Sequence, residues 1–416
     1  MIEKKLTVFI YLPNETIAVP AGVFSHNADL GIGSFSYGRR YIERRNALPV
    51  DPVSLPIGPL PRDVTSNAGI YGAFRDASPD YWGRLVIASD VKAAPEALSE
   101  IDFLVAANAT RVGNLDFRLS PGAPEPILQP PHFNQLAEVI EAAVKIEAGE
   151  EPENHLLQLL RQGSSMGGAR PKCTVEWDDA LWIAKFPARG DTLNIPRIEY
   201  ATITLSGLCG ISIPEVHLVA VGDKDVFLCR RFDRERQGEG WVRRGFVSSL
   251  SLMQWDEGDR LLWDYASIAD TMRRYTTVAE IQELYRRMVF NILVRNTDDH
   301  PRNHGFVVNS EGMSLSPAYD ILPAPARPGV GVNFRLAMSV GEQGREATLE
   351  NALSQAGRFG HSSGEARPII EQLLETTRAW REHFDECGVT EREVDLLTPS
   401  FTGAITEYCD NSQFKT

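Results

Sequence analysis

The sequence lacks the patterns that mark several classes of protein. Its five cysteines are scattered and include no C-x-x-C pair, which argues against a disulfide framework and a cysteine-ligated zinc site. No run approaches the roughly eighteen apolar residues of a membrane helix, and the N-terminal MIEKKLTVFIYLPNE has too short an apolar run for a secretion signal. The net charge of −14 argues against direct binding of nucleic acid, because contact with phosphates needs a basic surface. We therefore expect a soluble, cytoplasmic protein that would reach DNA only through a basic partner.

Composition along the chain predicts three segments. The 416 residues suffice for two or three hydrophobic cores. Residues 1–118 combine short β-type runs with helical patterns, and the proline-rich LSPGAPEPILQPPHF follows as a connector. Residues 119–235 hold helices and paired strands, and residues 236–416 are mainly helical. We predict an α+β fold, in which a small α+β N-terminal domain precedes a two-lobed domain with a small β-rich lobe and a large helical lobe.

Periodicity places the individual elements. Apolar residues recur at helical spacing in SPDYWGRLVIASDV, SEIDFLVAANA, NQLAEVIEAAVKIEAG, ENHLLQLLRQG, RIEYATITLSGLCG and AEIQELYRRMVFNILVRN. Paired β-type runs around short polar turns predict hairpins in CTVEWDDALWIAKF, VHLVAVGDKDVFLCRRFDR and HGFVVNSEGMSLSP.

The stretch NTDDHPRNHGF crowds polar side chains directly after the last of these helices. Asp298 and Asn303 have the D-x-x-x-x-N spacing of the protein-kinase catalytic loop, in which the Asp accepts the substrate hydroxyl proton and the Asn binds magnesium. One turn of loop would put both side chains on the same side of a cleft. Taken alone, such a spacing more often belongs to an ordinary polar loop.

Three further features stand where a kinase needs them. Asp320 in LSPAYDILP follows the third hairpin, which is the position of a second magnesium-binding Asp. Lys185 shares a strand face with Leu181 and Ile183, so we expect it to be drawn toward the interior, paired with ATP phosphates and with Glu199 of the next helix.

The loop GSSMGGARPK is rich in small residues that let backbone N–H groups approach phosphates, although it is not a Walker motif. Its predicted ATP contacts are Ser165, Met166, Gly167, Gly168 and Ala169.

Each feature also has an ordinary explanation. Asp320 could cap a turn, since Pro323 follows. Lys185 could be a lysine at a strand edge that keeps its ammonium in water. The order of these features along the chain, rather than any one of them, favours a kinase that uses ATP and Mg²⁺.

Taken together, these strings resemble HipA-type serine/threonine kinases, the toxins of HipB/HipA toxin–antitoxin pairs. The resemblance rests on SSMGGARPK, LWIAKFP, RRFDR, FNILVRNTDDHPRNHGF and LSPAYDILP. It extends to the N-terminal part through FSYGRRYIE, DPVSLPI, GAFRDASPDYWGR and TRVGNLDF, and so covers roughly residues 1–400.

The resemblance implies roles for particular residues. Asp298 would be the catalytic Asp, Asn303 and Asp320 the magnesium ligands, and Lys185 the ATP-binding lysine, while Phe232 would pack against adenine. It also implies autophosphorylation of the glycine-rich loop on Ser165, or on the neighbouring Ser164. The implied protein substrate is an aminoacyl-tRNA synthetase, with glutamyl-tRNA synthetase as the first candidate. The implied partner is a HipB-like helix-turn-helix antitoxin that makes most of the DNA contacts.

The chain departs from the family pattern at two positions. Asp299 stands where many relatives have glycine, and we expect it either to aid a second magnesium ion or to face solvent. Arg230 stands where at least one relative has an acidic residue, which matters little if adenine is bound through the main chain. We expect His300 to have a structural role.

Other functions use some of the same residues. A hydrolase could take Asp298, Asp299, His300 and His304 as metal ligands, but it would give Lys185 no role. A small-molecule phosphotransferase would share the kinase machinery. A catalytically silent scaffold that serves as an antitoxin-bound co-repressor is the non-enzymatic alternative.

Overall fold

The computed structural model describes residues 4–126, 128–164, 168–325 and 334–412. Three of the predicted ATP contacts, Ser165, Met166 and Gly167, lie outside these ranges.

The strands fall mainly in the first 250 residues. They are β1 (Lys4–Tyr11), β2 (Ala18–Asn27), β3 (Ile32–Tyr37), β4 (Arg62–Val64), β5 (Leu115–Arg118), β6 (Lys172–Trp177), β7 (Ala180–Lys185), β8 (Val216–Val221), β9 (Lys224–Arg230), β10 (Arg234–Gln237), β11 (Gly240–Arg243), β12 (Gly245–Ser248), β13 (Gly305–Asn309) and β14 (Gly312–Leu315). All three predicted strand pairs are confirmed as strands at the predicted places.

The helices dominate the second half of the chain. They are α1 (Arg39–Ile42), α2 (Gly72–Ala77), α3 (Tyr81–Asp90), α4 (Glu100–Ala106), α5 (Leu136–Glu147), α6 (Asn154–Gly163), α7 (Ile195–Leu208), α8 (Ser249–Leu252), α9 (Tyr265–Met272), α10 (Val278–Leu293), α11 (Leu349–Ser354), α12 (Ser363–Arg378), α13 (Trp380–Glu386) and α14 (Glu391–Ser412). The six helices predicted from periodicity are confirmed as α3, α4, α5, α6, α7 and α10. In the part of the chain that the structure describes, no helix has both the length and the hydropathy needed to cross a bilayer.

The described residues group into two compact units. Unit 1 takes its residues from Met1–Asp191, Val219–Asp256 and Phe306–Gly312, and unit 2 from Thr192–Leu218, Glu257–Gly305 and Met313–Thr416. The mixture of sheet and helix confirms the predicted α+β class.

Unit 1 contains two hydrophobic cores. The first lies beside the antiparallel sheet β4-β3-β2-β1-β5 and includes Val8, Phe24 and Phe74, all essentially inaccessible to solvent. The second lies beside the sheet β6-β7-β9-β8 and includes Trp82 of α3 and Trp182 of β7. Thus α3, which lies in the N-terminal third of the chain, packs into the second core.

The hairpin β6–β7 has the tight turn that its sequence predicts. Asp178 and Asp179 at the turn have φ angles of 49° and 53°. Two consecutive positive φ angles match the right-handed twist of the two strands, and aspartate tolerates them better than most residues. The resulting register places Lys172 directly opposite Lys185.

Unit 2 is built around α10. Its N-terminus is closed by a capping box, in which Glu280 accepts from the main-chain N of Thr277 at 2.9 Å. Leu284, Met288 and Ile292 on its apolar face are completely buried, and the helix packs against α9, α11, α12 and α14. The chain leaves α10 through Arg295 with φ of 55°, a conformation that ends helices.

A single buried carboxylate joins two helix N-termini in unit 2. Glu393, in the first turn of α14, accepts from the main-chain N of Asn194 at 2.6 Å, just before α7. Its other oxygen accepts from the Thr390 hydroxyl at 2.7 Å. Burial by itself would raise the pKa of Glu393, but these donors outweigh it and hold the pKa below its usual value.

We predict that Glu393→Gln lowers the free energy of unfolding by about 1–2 kcal/mol, because the amide loses the charge that two helix N-termini stabilise. Chemical denaturation of the full chain would measure this. Glu391→Gln is the matched control, because Glu391 lies in the same helical turn but is exposed. Equal effects of the two substitutions would contradict the role given to Glu393.

Candidate active site

The loop after α10 presents one aspartate to solvent and buries the next. Asp298 is exposed, whereas Asn303 is only 7% exposed. Asn303 donates from Nδ2 to the main-chain O of Asp298 at 3.3 Å, and from its main-chain N to the O of His300 at 2.8 Å. These bonds bring the two residues of the D-x-x-x-x-N motif together and orient the Asn303 amide.

Two hydrogen bonds tie the Asp320 segment to this loop. The Tyr319 hydroxyl donates to the O of Arg302 at 2.7 Å, and the N of Ala324 donates to the O of Arg295 at 3.0 Å. Asp320 is half-buried and has φ of 55°. A non-glycine residue in this left-handed region carries backbone strain of the kind that concentrates at functional sites. The structure therefore brings Asp320 to the loop that carries Asp298 and Asn303.

Of the two expectations for Asp299, exposure to solvent is wrong, whereas a role beside a second magnesium ion stays a prediction. Asp299 does not face solvent, since it is only 2% exposed. Its Oδ2 accepts from the Tyr265 hydroxyl, from Asn291 Nδ2 at 2.7 Å and from His304 Nε2 at 2.9 Å. Burial and the adjacent Asp299 charge raise the pKa of Tyr265 well above its usual value, so the phenol stays protonated and donates. Asp299 and His304, two ligands of the hydrolase alternative, thus bind each other instead.

The strand lysine, Lys185, shares a face of β7 with Leu181 and Ile183, as the sequence predicts. Leu181 on this face is 1% exposed and Ile183 is half-buried, whereas Trp182 and Ala184 lie on the opposite face, in the second core. Lys185 is thus half-buried, and its pairing with ATP phosphates stays a prediction. The Lys185 ammonium lies 5.7 Å from the centre of the Phe227 ring.

Lys172 was missed by the sequence reasoning. It ends the glycine-rich loop, is only 7% exposed, and lies opposite Lys185 across the hairpin. The pair therefore places two positive charges beside the loop, although like charges at directly opposed positions repel each other. Only the register of β6 and β7 reveals the pairing, and the turn residues Asp178 and Asp179 are the one signal for it in the sequence.

The described end of the glycine-rich loop is anchored by residues from the N-terminal segment. Gly168 donates its N to Asp80 Oδ2 at 2.8 Å and accepts from the main-chain N of Trp82 at 3.2 Å. The Trp82 indole donates to the O of Lys172 at 2.9 Å. Gly168 has φ of 109°, a main-chain conformation that strains other residues, so glycine is favoured at this position.

Of the two candidate phosphorylation sites, only Ser164 lies within the described residues. Ser164 is 1% exposed, and its hydroxyl donates to the O of Leu160 at 2.7 Å. Ser165 lies outside the described residues. Ala169, the other predicted loop contact, follows Gly168 directly and lies within them.

The expected adenine residue, Phe232, lies just past the end of β9. It is half-buried, and its ring centre lies 6.3 Å from that of Phe246. Its neighbours are buried: Asp233 accepts from Arg231 Nε at 2.9 Å and from Arg234 Nη1 at 2.7 Å. The main chain at Phe232 is therefore held between two ion-paired arginines.

The same arginines bind main-chain oxygens of the N-terminal segment. Arg231 donates to the O of Thr110 at 2.5 Å, and Arg234 donates to the O of Gly113 at 2.9 Å. The N of Gly113 donates to Asp233 Oδ2 at 2.9 Å. We call Arg231, Asp233, Arg234 and the main chain of 110–113 the arginine clamp. It joins the strings RRFDR and TRVGNLDF in one contact within unit 1.

Glu199, the expected partner of Lys185, lies in α7 and is 6% exposed. It belongs to unit 2, whereas Lys185 belongs to unit 1. Their pairing stays a prediction.

Comparison with known families identifies the fold. The model of the HipA-like C-terminal domain matches residues 164–381, more than half of the chain. The chain belongs to this family. In fold, it is similar to the chain in the Shewanella oneidensis MR-1 structure of HipA, HipB and its operator DNA, with a TM-score of 0.67 over 96% of both chains at 16% identity. The predicted HipA-type fold is thereby confirmed.

The sequence relatives match over shorter stretches. Y4dM of Sinorhizobium fredii is 28% identical over 157 residues, 34% of this chain and 37% of that protein. The serine/threonine-protein kinase toxin HipA of Shewanella oneidensis is 25% identical over 142 residues, 30% of this chain and 33% of that protein. The chain thus spans about a third of the length of each of these two relatives.

We predict that Asp233→Asn lowers the free energy of unfolding by about 3 kcal/mol or more, because it leaves two buried guanidiniums without their counter-charge. Burial alone would raise the pKa of Asp233, but Arg231 and Arg234 outweigh it and hold the pKa far below its usual value. The stabilisation is therefore complete above pH ~4 and is lost as the pH falls further.

Denaturation of the wild type and the variant between pH 7 and pH 3 measures this effect. The difference between them should be largest near neutral pH and shrink on acidification. Asp63→Asn, at an exposed aspartate of the same unit, is the control. A pH-independent difference would contradict the buried ion pair.

Proposed function

We propose that the chain is an ATP- and Mg²⁺-dependent serine/threonine protein kinase that acts as a toxin. The observation that carries the proposal is the pair of bonds from Tyr319 and Ala324, which hold the Asp320 segment against the Asp298–Asn303 loop. Membership of the HipA-like family supports it, as does the name of the Shewanella oneidensis relative, a serine/threonine-protein kinase toxin.

The described residues take distinct roles in this reaction. Asp298, exposed at the loop, orients the substrate hydroxyl and accepts its proton. Lys185 and the loop residues Gly168 and Ala169 bind the phosphates of ATP, and Phe232 packs against adenine. The additional positive charge of Lys172 favours the same anion. Glu199 would orient Lys185.

The residues of unit 2 fit a magnesium ion. A carboxylate from Asp320 and an amide oxygen from Asn303 are hard oxygen ligands, which magnesium prefers. The Asn303 Nδ2 is engaged with the O of Asp298, so the amide oxygen remains the atom for a cation. When bound, magnesium supplies positive charge that offsets the charge of the phosphates.

We assign autophosphorylation to Ser165. The Ser164 hydroxyl is buried and donates to the O of Leu160, which favours its neighbour as the acceptor. Phosphate adds nearly two negative charges and would disturb a loop that binds phosphates through its own main chain.

The proposed protein substrate is an aminoacyl-tRNA synthetase, with glutamyl-tRNA synthetase as the first candidate, in the cytoplasm. The proposed partner is a HipB-like helix-turn-helix antitoxin that makes most of the DNA contacts. The net charge of −14 suits a basic partner, and the structurally similar Shewanella oneidensis protein is in a complex with HipB and operator DNA.

We predict that Asp298→Asn lowers phosphoryl transfer by ~10²-fold or more, because the variant loses the group that accepts the hydroxyl proton. Its stability should be unchanged, since Asp298 is exposed. Intact-protein mass after incubation with ATP and Mg²⁺ should show one phosphate on the wild type, mapped to Ser165, and none on the variant. Asp223→Asn, at an exposed turn, is the control.

Wild-type turnover in Asp298→Asn would refute the assignment. Absence of transfer by a wild-type protein whose starting mass shows no phosphate would favour the silent scaffold. Transfer to a small molecule, but to no protein, would favour the phosphotransferase.

We predict that Asp320→Asn raises the dissociation constant for ATP in the presence of Mg²⁺ by ~10-fold or more, because a charged ligand is lost. Asparagine is the suitable replacement, since it tolerates the φ of 55° found at this position. Calorimetric titration with and without Mg²⁺ would measure the effect. Unchanged affinity in the presence of Mg²⁺ would exclude Asp320 as a ligand.

A further inference from the structure

Asp299 lies at the centre of a buried polar cluster in unit 2. Its side chain and that of His304 are each only 3% exposed. Tyr265, Asn291 and His304 all donate to the same oxygen, Oδ2, of Asp299. A buried carboxylate with three donors is costly to disturb, because each donor would lose its acceptor in a place that water does not reach.

The three donors come from separate elements. Tyr265 begins α9, Asn291 lies in the last turn of α10, and His304 follows the short turn Pro301–Asn303. Asn291 is itself oriented, since its Oδ1 accepts from Asn296 Nδ2 at 3.0 Å. The position of the Asp299 carboxylate is therefore fixed by two helices of the core and not by the loop alone.

The bond between Asp299 and His304 closes the D-x-x-x-x-N loop. Asp299 follows Asp298 directly, and His304 follows Asn303 directly. A hydrogen bond between Asp299 and His304 therefore also limits the distance between Asp298 and Asn303. The 3.3 Å hydrogen bond from Asn303 Nδ2 to the O of Asp298 is a second connection between the two ends of this loop.

We propose that Asp299 is a positioning residue that sets Asp298 and Asn303 in their relative places by anchoring both ends of the loop to α9 and α10. Its consequence for phosphoryl transfer rests on the proposed function. The anchoring itself does not, and it is measurable without any reaction.

Two substitutions separate positioning from general stability. Asp299→Ala leaves the hydroxyl of Tyr265, the amide of Asn291 and the imidazole of His304 without their common acceptor. Asp299→Asn keeps an oxygen acceptor in a side chain of the same shape, so it should rescue the loop. The matched control is Asp51→Asn in unit 1, at another carboxylate that is 2% exposed and accepts from main-chain N–H groups.

The first measurement is hydrogen–deuterium exchange in the full-length chain, read on peptides that cover residues 296–305. We expect Asp299→Ala to exchange roughly tenfold faster or more in these peptides, while Asp299→Asn and Asp51→Asn stay close to the wild type. Wild-type protection of the loop in Asp299→Ala would overturn the proposal. So would equal loss in Asp299→Ala and Asp51→Asn, which would indicate a general loss of stability.

The second measurement is the affinity for Mn²⁺, used as a probe for the magnesium position, with a non-hydrolysable ATP analogue present. Asp299→Ala should raise the Mn²⁺ dissociation constant ~10-fold and lower kcat, while the KM for ATP changes less than ~3-fold. Unchanged Mn²⁺ affinity and unchanged kcat would overturn the positioning role. If the wild type transfers no phosphate, the proposed function fails, and the exchange comparison still decides for or against the anchoring by Asp299.

Discussion

A carboxylate cannot be removed from water without donors to replace the lost hydration, and this constraint organises both units. In unit 1 the carboxylate is Asp233, held by two arginines and a main-chain N–H group. In unit 2 it is Asp299, held by a phenol, an amide and an imidazole. Each buried aspartate directly follows a residue of the candidate active site, Phe232 or Asp298. The buried member of each pair fixes the main chain, and its neighbour is left accessible to a ligand.

The same constraint explains why the N-terminal segment belongs with the candidate nucleotide site in unit 1. Its main chain supplies acceptors to the arginine clamp beside Phe232, while Asp80 accepts from Gly168 at the end of the glycine-rich loop. RRFDR and TRVGNLDF are separate family motifs in the sequence. In the structure they contact each other. The buried charges of RRFDR need the main-chain atoms of residues 110–113, so the contact depends on the course of the main chain there.

The sequence predicts local structure here better than it predicts burial. Helix α10 and the hairpin β6–β7 follow from apolar periodicity and from the turn at Asp178 and Asp179, which are local signals. The burial of Asp299 depends on donors such as Tyr265, which lies 34 positions away along the chain. No local pattern distinguishes such a carboxylate from the exposed Asp298 beside it. Alternation along β7 likewise predicts that Lys185 shares a face with Leu181 and Ile183, but it does not say which face of the strand the second core covers.

Because some charged side chains are buried, the charge of the accessible surface differs from the formal net charge. Among the residues that the structure describes, nine buried Lys and Arg side chains accompany six buried Asp and Glu side chains. Cations such as Arg231 and Arg234 therefore contribute to the formal charge of −14 while being hidden from any partner. The accessible surface is more acidic than the formal charge indicates. An acidic surface repels the phosphates of nucleic acid and attracts a basic protein, so electrostatics favours DNA contact through the proposed antitoxin rather than through this chain.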